Sequence, residues 1–450
     1  MKQLESLNIL APSHLTDLPL LMLEIFDSKA PLHSLKGFHL HLSSTSSPFP
    51  PKTLPKINKA IEHLTSLTVA NPEWYALLLN AGEFKNLTTL DLTISPSVTS
   101  WDFRYLSRFQ DFLRLKKLIF AFTANSIACE KEFFENFTTA PALEYLDFTL
   151  IEFSWNELSL TKNNRKAIED SFVTEAPYIH FFDRVRDWKN LKVLALTIRK
   201  GLGTRSCPNL AGRFASLFIR RLTTLERVNY SNPPGNISEE EEEQQLKHLK
   251  NKSLKLEDFW KGLEQSKETL HTVSINAPEI AFPVNIDVLE TRFPRLKSLT
   301  LEKNVLYATN LGTFWRKIPS LKQVYVQDLV LNDEKRLREF FDDVQEISEE
   351  MNVTLFLDVE GIGQRLLMDC LRKFVEEVKV KGIFSVYFKN VEVEDIRNYF
   401  DILMSVVDKG YFNTFKMDMK DTRILLYVRK QDIWTMANEL EDEYQKINLC

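Results

Sequence analysis

Phe84-Lys85-Asn86-Leu87-Thr88-Thr89-Leu90-Asp91-Leu92 is the stretch whose reading decides the fold. It runs as an apolar residue, two variable ones, then Leu-x-x-apolar-x-apolar. The same pattern returns at 112–120, 140–148, 188–196, 222–230, 293–301 and 318–326, with looser copies at 1–9, 32–40, 61–69 and 267–275. Leu90 and Leu92 stand two apart, so in an extended chain both point to one side while Thr89 and Asp91 point to the other. The first side is core and the second is surface. Between copies the apolar residues recur every three to four positions, as from Trp101 to Phe112, which predicts helix. A unit of about thirty residues has too little apolar surface to fold alone and must stack on its neighbours. Strand followed by helix, repeated, implies a parallel sheet backed by helices.

The nine-residue pattern resembles the strand signature of the leucine-rich repeat family, in its irregular ribonuclease-inhibitor-like and F-box-associated type. The resemblance covers roughly residues 1 to 330. It implies an α/β solenoid, a horseshoe with parallel strands on the concave face and helices on the convex face, closed by a C-terminal cap. The family's Asn or Cys three places after the last strand apolar residue is present as Asn304, but Ser95, Thr123 and Leu329 hold that place elsewhere. Irregular repeats are therefore expected, because the turn backbone must be satisfied in other ways. The spacing agrees: Leu64, Leu87 and Leu115 fall 23 and 28 residues apart, whereas Leu143 to Leu191 spans 48 and Leu225 to Leu270 spans 45.

Two regions follow from the pattern. Residues 1–359 read as the solenoid, interrupted by a Ser/Pro-rich loop at 43–51, an insertion at 154–177 and an acidic loop at 232–245 that contains Glu239 to Glu243. Residues 360–450 read as continuing irregular β/α repeats ending in a hairpin and a helix. Strands are expected at 353–359 and 384–388 and helices at 364–378 and 393–407. The hairpin pairs 414–419 with 423–428, and the last helix runs over 432–447, an arrangement suited to covering the final sheet edge.

Composition narrows the class. Of 450 residues 44% are hydrophobic and 26% charged, with Phe at 32 and Gly at 12, which excludes a disordered or collagen-like chain. Cys129, Cys207, Cys370 and Cys450 are scattered without CxxC spacing, so a reducing compartment, cytoplasmic or nuclear, is the expectation, and no zinc site is. The repeat that starts at Met1 leaves no room for a signal peptide, and no apolar run reaches spanning length, so no membrane association is expected. The sequons at Asn86, Asn136, Asn236, Asn251 and Asn352 are then read as chance matches. Fifty-seven Lys plus Arg against 62 Asp plus Glu give a net charge of −5, and no basic stripe is interleaved with aromatics, so nucleic acid is not expected as a partner.

Catalytic motifs are absent from the sequence: GxGxxG, GxxxxGK[ST], HExxH and GxSxG do not occur. His39 and His41 alternate on one expected strand, but the neighbouring strand offers only Ser66 and Thr68 as further ligands. The expectation is a non-enzymatic protein–protein interaction scaffold with no cofactor and no metal. Its binding face would be formed by the x positions of the strands, among which Asp91, Tyr145, Asp147, Arg227, Asn229 and Tyr325 are the candidate partner-contacting residues. The family resemblance implies a recognition subunit similar to F-box-type substrate receptors of ubiquitin ligases, binding a protein partner and a Skp1-type adaptor. Leu18 to Phe26 looks like the opening of an F-box, but repeat strands starting near Leu4 and Leu35 leave no space for a complete one. The alternative is a standalone regulator of a small GTPase or other enzyme.

Overall fold

The computed structural model describes residues 5–11, 35–42, 63–69, 84–92, 103–123, 127–151, 175–199, 208–232, 257–277, 293–302, 320–330, 334–344, 352–359, 362–363, 365–367, 369–370, 384–389, 413–420 and 423–430. The chain divides into two compact units, Met1–Glu242 with Lys261–Ser266, and Glu243–Trp260 with Lys267–Cys450. The F-box-like stretch, the loop at 43–51, most of the insertion at 154–177, the acidic run Glu239 to Glu243, the helix expected at 393–407 and the last helix lie outside the described residues.

In the first unit eight strands succeed one another: β1 Ser6–Ala11, β2 Gly37–Leu42, β3 Ser66–Val69, β4 Thr89–Leu92, β5 Lys117–Thr123, β6 Tyr145–Ile151, β7 Val193–Arg199 and β8 Arg227–Ser231. Each pairs in parallel with the next. The repeat register is kept, since Leu67, Leu90, Leu118, Leu146, Leu194 and Val228 stand opposite one another and all are fully buried. Thr89, Asp91 and Ile119 are only partly covered, whereas Thr68, opposite Asp91 on β3, is buried. The apolar-x-x-Leu opening of the pattern is one turn: Leu87 N–H donates to Phe84 O at 3.2 Å, and Leu115, Leu143 and Leu191 repeat the bond to Phe112, Ala140 and Trp188 at 3.1–3.2 Å.

The helical layer explains the abundance of Phe. Helix α1, Ile127–Asn136, aligns Glu130, Phe133, Phe134 and, just past its end, Phe137 at three- and four-residue spacing. Phe133 and Phe137 stack on Phe120 and Phe148 of the sheet, with centroids 5.2–6.1 Å apart. Helix α2, Ala176–Val185, and helix α3, Pro208–Ile219, extend this packing through Phe181, Phe214 and Phe218. Arg184 on α2 closes the end of α1, its guanidinium donating to Phe134 O at 2.6 Å and Phe137 O at 3.2 Å. Gly262, on helix α4 (Glu257–Leu263), sits so close to α3 that a Cβ would lie 2.9 Å from Ser216 O. The stretch expected as an ordinary helix at 101–112 is instead a 3₁₀ helix over Phe103–Asp111. Leu106 and Phe109 within it and Phe112 just past its end are buried and three apart, the period of that helix.

In the second unit β9 Thr272–Asn276, β10 Ser298–Glu302, β11 Gln323–Val330, β12 Asn352–Asp358 and β13 Phe384–Lys389 are parallel neighbours in turn. Val273, Leu299, Val324 and Val353 form its buried ladder, and helix α5, Glu334–Val344, buries Leu337, Phe340 and Phe341. The expected hairpin is present as β14 Asn413–Lys420 and β15 Arg423–Lys430, paired antiparallel, with β15 antiparallel to β13. Strand and helix thus recur as a parallel α/β arrangement of solenoid type.

Candidate functional site

The sheet of the first unit carries its helices on the side of the Leu and Phe ladders, so the opposite side is where the strands present their x positions. Strict alternation puts two rows there. Thr89, Lys117, Tyr145, Val193 and Arg227 stand in register across β4 to β8, and Asp91, Ile119, Asp147, Ala195 and Asn229 stand in register two residues further along. Five of the six residues expected to contact a partner are therefore on one face of one unit: Asp91, Tyr145, Asp147, Arg227 and Asn229. Tyr325 lies in the second unit on β11, where its ring packs 5.6 Å from that of Phe356.

Lys117, which the strand pattern placed on this face without marking it out, ties the cluster together. Its ammonium lies 4.9 Å from the centroid of the Tyr145 ring, a cation–π contact. It also offsets the Asp147 carboxylate. The Asp147 carboxyl is held above the usual carboxylate range, first by burial and then by repulsion from Asp91, while Lys117 pulls it back. Burial likewise raises the Tyr145 phenol, reinforced by Asp147 and opposed by Arg227. Ile119, Val193 and Ala195 supply a low, half-covered apolar floor between the charged positions, whereas Arg227 and Asn229 are exposed. Such a surface can hold a partner through directional charge and aromatic contact.

On β2, His39 Nδ1 is 2.8 Å from Thr68 Oγ1, so the imidazole is engaged with the neighbouring strand. Among the described residues no group of three or more His, Cys, Asp or Glu is placed to hold a metal. Cys129 is half-buried and Cys370 is buried, and neither forms a disulfide. Among the same residues no helix is long and apolar enough to cross a membrane. Comparison with protein-family models and with curated proteins found no match for the chain.

Lys117 was missed as a member of the site because only the cross-strand register brings its side chain to Tyr145, Asp91 and Asp147. Within its own nine-residue repeat it is an unremarkable polar x position. The usable signal is the comparison of the same x position in successive repeats, which stacks Thr89, Lys117 and Tyr145 in one row.

Proposed function

We propose that the chain is an irregular leucine-rich repeat protein, a horseshoe whose strands form the concave face and whose hairpin caps the end. In this reading it is a non-enzymatic recognition scaffold that binds a protein partner across the outward strand face. The observation that carries the reading is the Asp91, Lys117, Tyr145, Asp147 and Arg227 cluster. Charge and aromatic surface are concentrated on a partly desolvated face where fold stability alone asks only for small polar residues. A role as the substrate-binding subunit of a ubiquitin ligase, working in the cytoplasm or nucleus through a Skp1-type adaptor, extends the reading by family resemblance.

Affinity purification of the full chain followed by mass spectrometry tests it. The wild-type chain should recover a protein partner that the Tyr145→Ala/Arg227→Ala variant loses, with a cost of at least about 2 kcal/mol in calorimetry. Unchanged circular dichroism must accompany the loss. Equal recovery by both chains refutes the face, and enrichment of partners without a Skp1-type adaptor refutes the ligase role.

A further inference from the structure

Just past the end of α3, Arg221 reaches across to α2. Its backbone N–H donates to Phe218 O at 3.2 Å, and its side chain turns back so that Nη1 donates to Leu217 O at 2.8 Å. The guanidinium lies 4.4 Å from the centroid of the Phe182 ring, a cation–π contact with a residue that is itself fully buried on α2. A carbonyl on one helix and a ring on the next therefore hold this group in place at the joint of two helix ends. Its Nε is shielded from solvent and donates to no acceptor among the described residues.

Two more guanidiniums gather at the same joint. Arg220 directly precedes Arg221, and Arg186 ends α2 one turn after Phe182. Both are exposed. Burial lowers the Arg221 guanidinium from its usual value, Arg186 lowers it further, Asp183 opposes the fall and Arg220 adds to it. Asp183 is also the carboxylate that Arg186 meets at 3.3 Å, and because both partners are well exposed the pair is weak and exchangeable. Capping explains Arg221 alone, since a cation at a helix C-terminus meets the negative end of the dipole. It does not explain why two further cations are set against it, an arrangement that costs stability through self-repulsion.

We propose that the joint between the ends of α2 and α3 is a recognition site for a phosphorylated protein segment, with Arg221 as its fixed donor and Arg186 and Arg220 as its exposed ones. A phosphate monoester suits the cluster better than a carboxylate. It brings nearly two negative charges and three acceptor oxygens to guanidinium forks that match it bidentately, and Arg186 can exchange the exposed Asp183 for it. A nucleic acid suits it less well. Its string of phosphates would have to pass Asp183 and Asp187, both exposed beside the arginines, whereas a single phosphate need not. The site lies on the helical side of the first unit, apart from the outward strand face, so either surface can fail its test without the other.

The test is fluorescence anisotropy of the full chain with a labelled Gly/Ser peptide carrying one phosphoserine, and with the same peptide bearing Ser or Glu at that place. The phosphopeptide should bind, the Glu peptide more weakly and the Ser peptide not at all. Arg221→Gln should weaken binding about tenfold, as expected for loss of a charge-assisted donor. Because that change also removes the bond to Leu217 O, the exposed positions decide the matter. Arg186→Gln and Arg220→Gln should each weaken binding several-fold, and Arg220→Gln should leave the melting temperature unchanged or raised, because it relieves repulsion. Lys85→Gln, an exposed charge loss on another repeat, should leave binding unchanged. Equal affinity for the phosphoserine and Ser peptides, wild-type affinity in the Arg186 and Arg220 variants, an equal loss in Lys85→Gln, or a melting temperature lowered by Arg220→Gln overturns the proposal. Preferential binding of oligothymidylate overturns it in favour of a nucleic-acid site, and displacement by inorganic phosphate at the peptide's own dissociation constant overturns it in favour of a small phosphate ligand.

Discussion

Truncating Phe133 to Ala tests the packing on which the position of the outward face depends. The ring is fully buried and meets five others, Phe122 at 4.2 Å, Phe134 and Phe137 at 5.2 Å, Phe148 at 5.8 Å and Phe120 at 6.1 Å. A buried Phe→Ala change costs about 3–5 kcal/mol, and favourable ring pairs add about 0.5–1.5 kcal/mol each to what is lost. Because Phe133 lies between the helical layer and two strands, neither layer can close the cavity alone. A loss near 5 kcal/mol is expected, a large share of the stability of an ordinary domain. Phe356 is the internal control. It is partly covered on the second unit, where its ring meets that of Tyr325, and its truncation should cost under about 1.5 kcal/mol. Urea unfolding followed by circular dichroism measures both, and the Phe133 variant should shift the transition of the first unit ahead of that of the second. A loss below about 1 kcal/mol for Phe133→Ala, or parity with Phe356→Ala, would mean that the sheet and helices are not joined by this aromatic layer.

Arg184→Ala should cost about 1–3 kcal/mol, because the Phe134 and Phe137 carbonyls lose their donor; thermal unfolding measures it. Gly262→Ala should destabilise by about 1–3 kcal/mol, since the added methyl meets Ser216 backbone and not a side chain that can turn away. Asp147→Asn should stabilise the free chain at neutral pH while weakening partner binding. The folded-state carboxyl is raised, so the folded chain holds its proton longer than the unfolded one, and stability falls as pH rises from the unfolded value through the folded one. Melting temperatures across acidic to neutral pH should show that fall in the wild type and a reduced fall in the variant. Ending the chain near Gly410 removes β14 and β15, exposes the edge of β13 and should cause aggregation in light scattering. A monodisperse product of unchanged melting temperature would show that the hairpin is not a cap.

The strand ladder was legible because its information is local and periodic: Leu90, Leu118 and Leu146 each declare themselves by position within nine residues. Features set by register or by contacts between repeats were not. β5, β6 and β7 extend seven residues each, so Ala121, Thr149 and Thr197 pair beyond the end of the signature. At Thr123, which stands where the family pattern has Asn or Cys, the backbone stays extended and the hydroxyl is buried. The buried Glu130, accepting a hydrogen bond from Tyr178 Oη at 2.9 Å, joins helices separated by an insertion whose length concealed their neighbourhood. Its signal was present but faint, since Glu130 falls on the same stripe as Phe133, Phe134 and Phe137. The candidate site was legible as a list of x positions, but not as an electrostatic unit, because coupling of Asp91 to Asp147 across Ile119 exists only once three repeats are stacked.

That coupling also limits how the face can be used. The charged rows run from β4 to β8, four strand spacings or about 19 Å, and the two rows are about 7 Å apart along the strands. Side chains included, this is on the order of 200 Å² of contact, whereas a stable complex buries about 800 Å² on each partner. The cluster can therefore serve as the energetic centre of an interface but not as all of it. Contacts from segments outside the strands have to supply the rim that excludes water from Tyr145 and Asp147. Desolvation already raises the Asp147 carboxyl in the free chain. A partner that seats a cation there recovers part of that penalty, while one that merely covers the site deepens it. Binding should accordingly favour partners with a basic residue aimed between Asp91 and Asp147 and should weaken as pH falls through the raised carboxyl value. Partner binding that stays constant across that range, measured by calorimetry with the chain still folded, would remove Asp147 from the centre and leave the aromatic and arginine contacts to carry the interface.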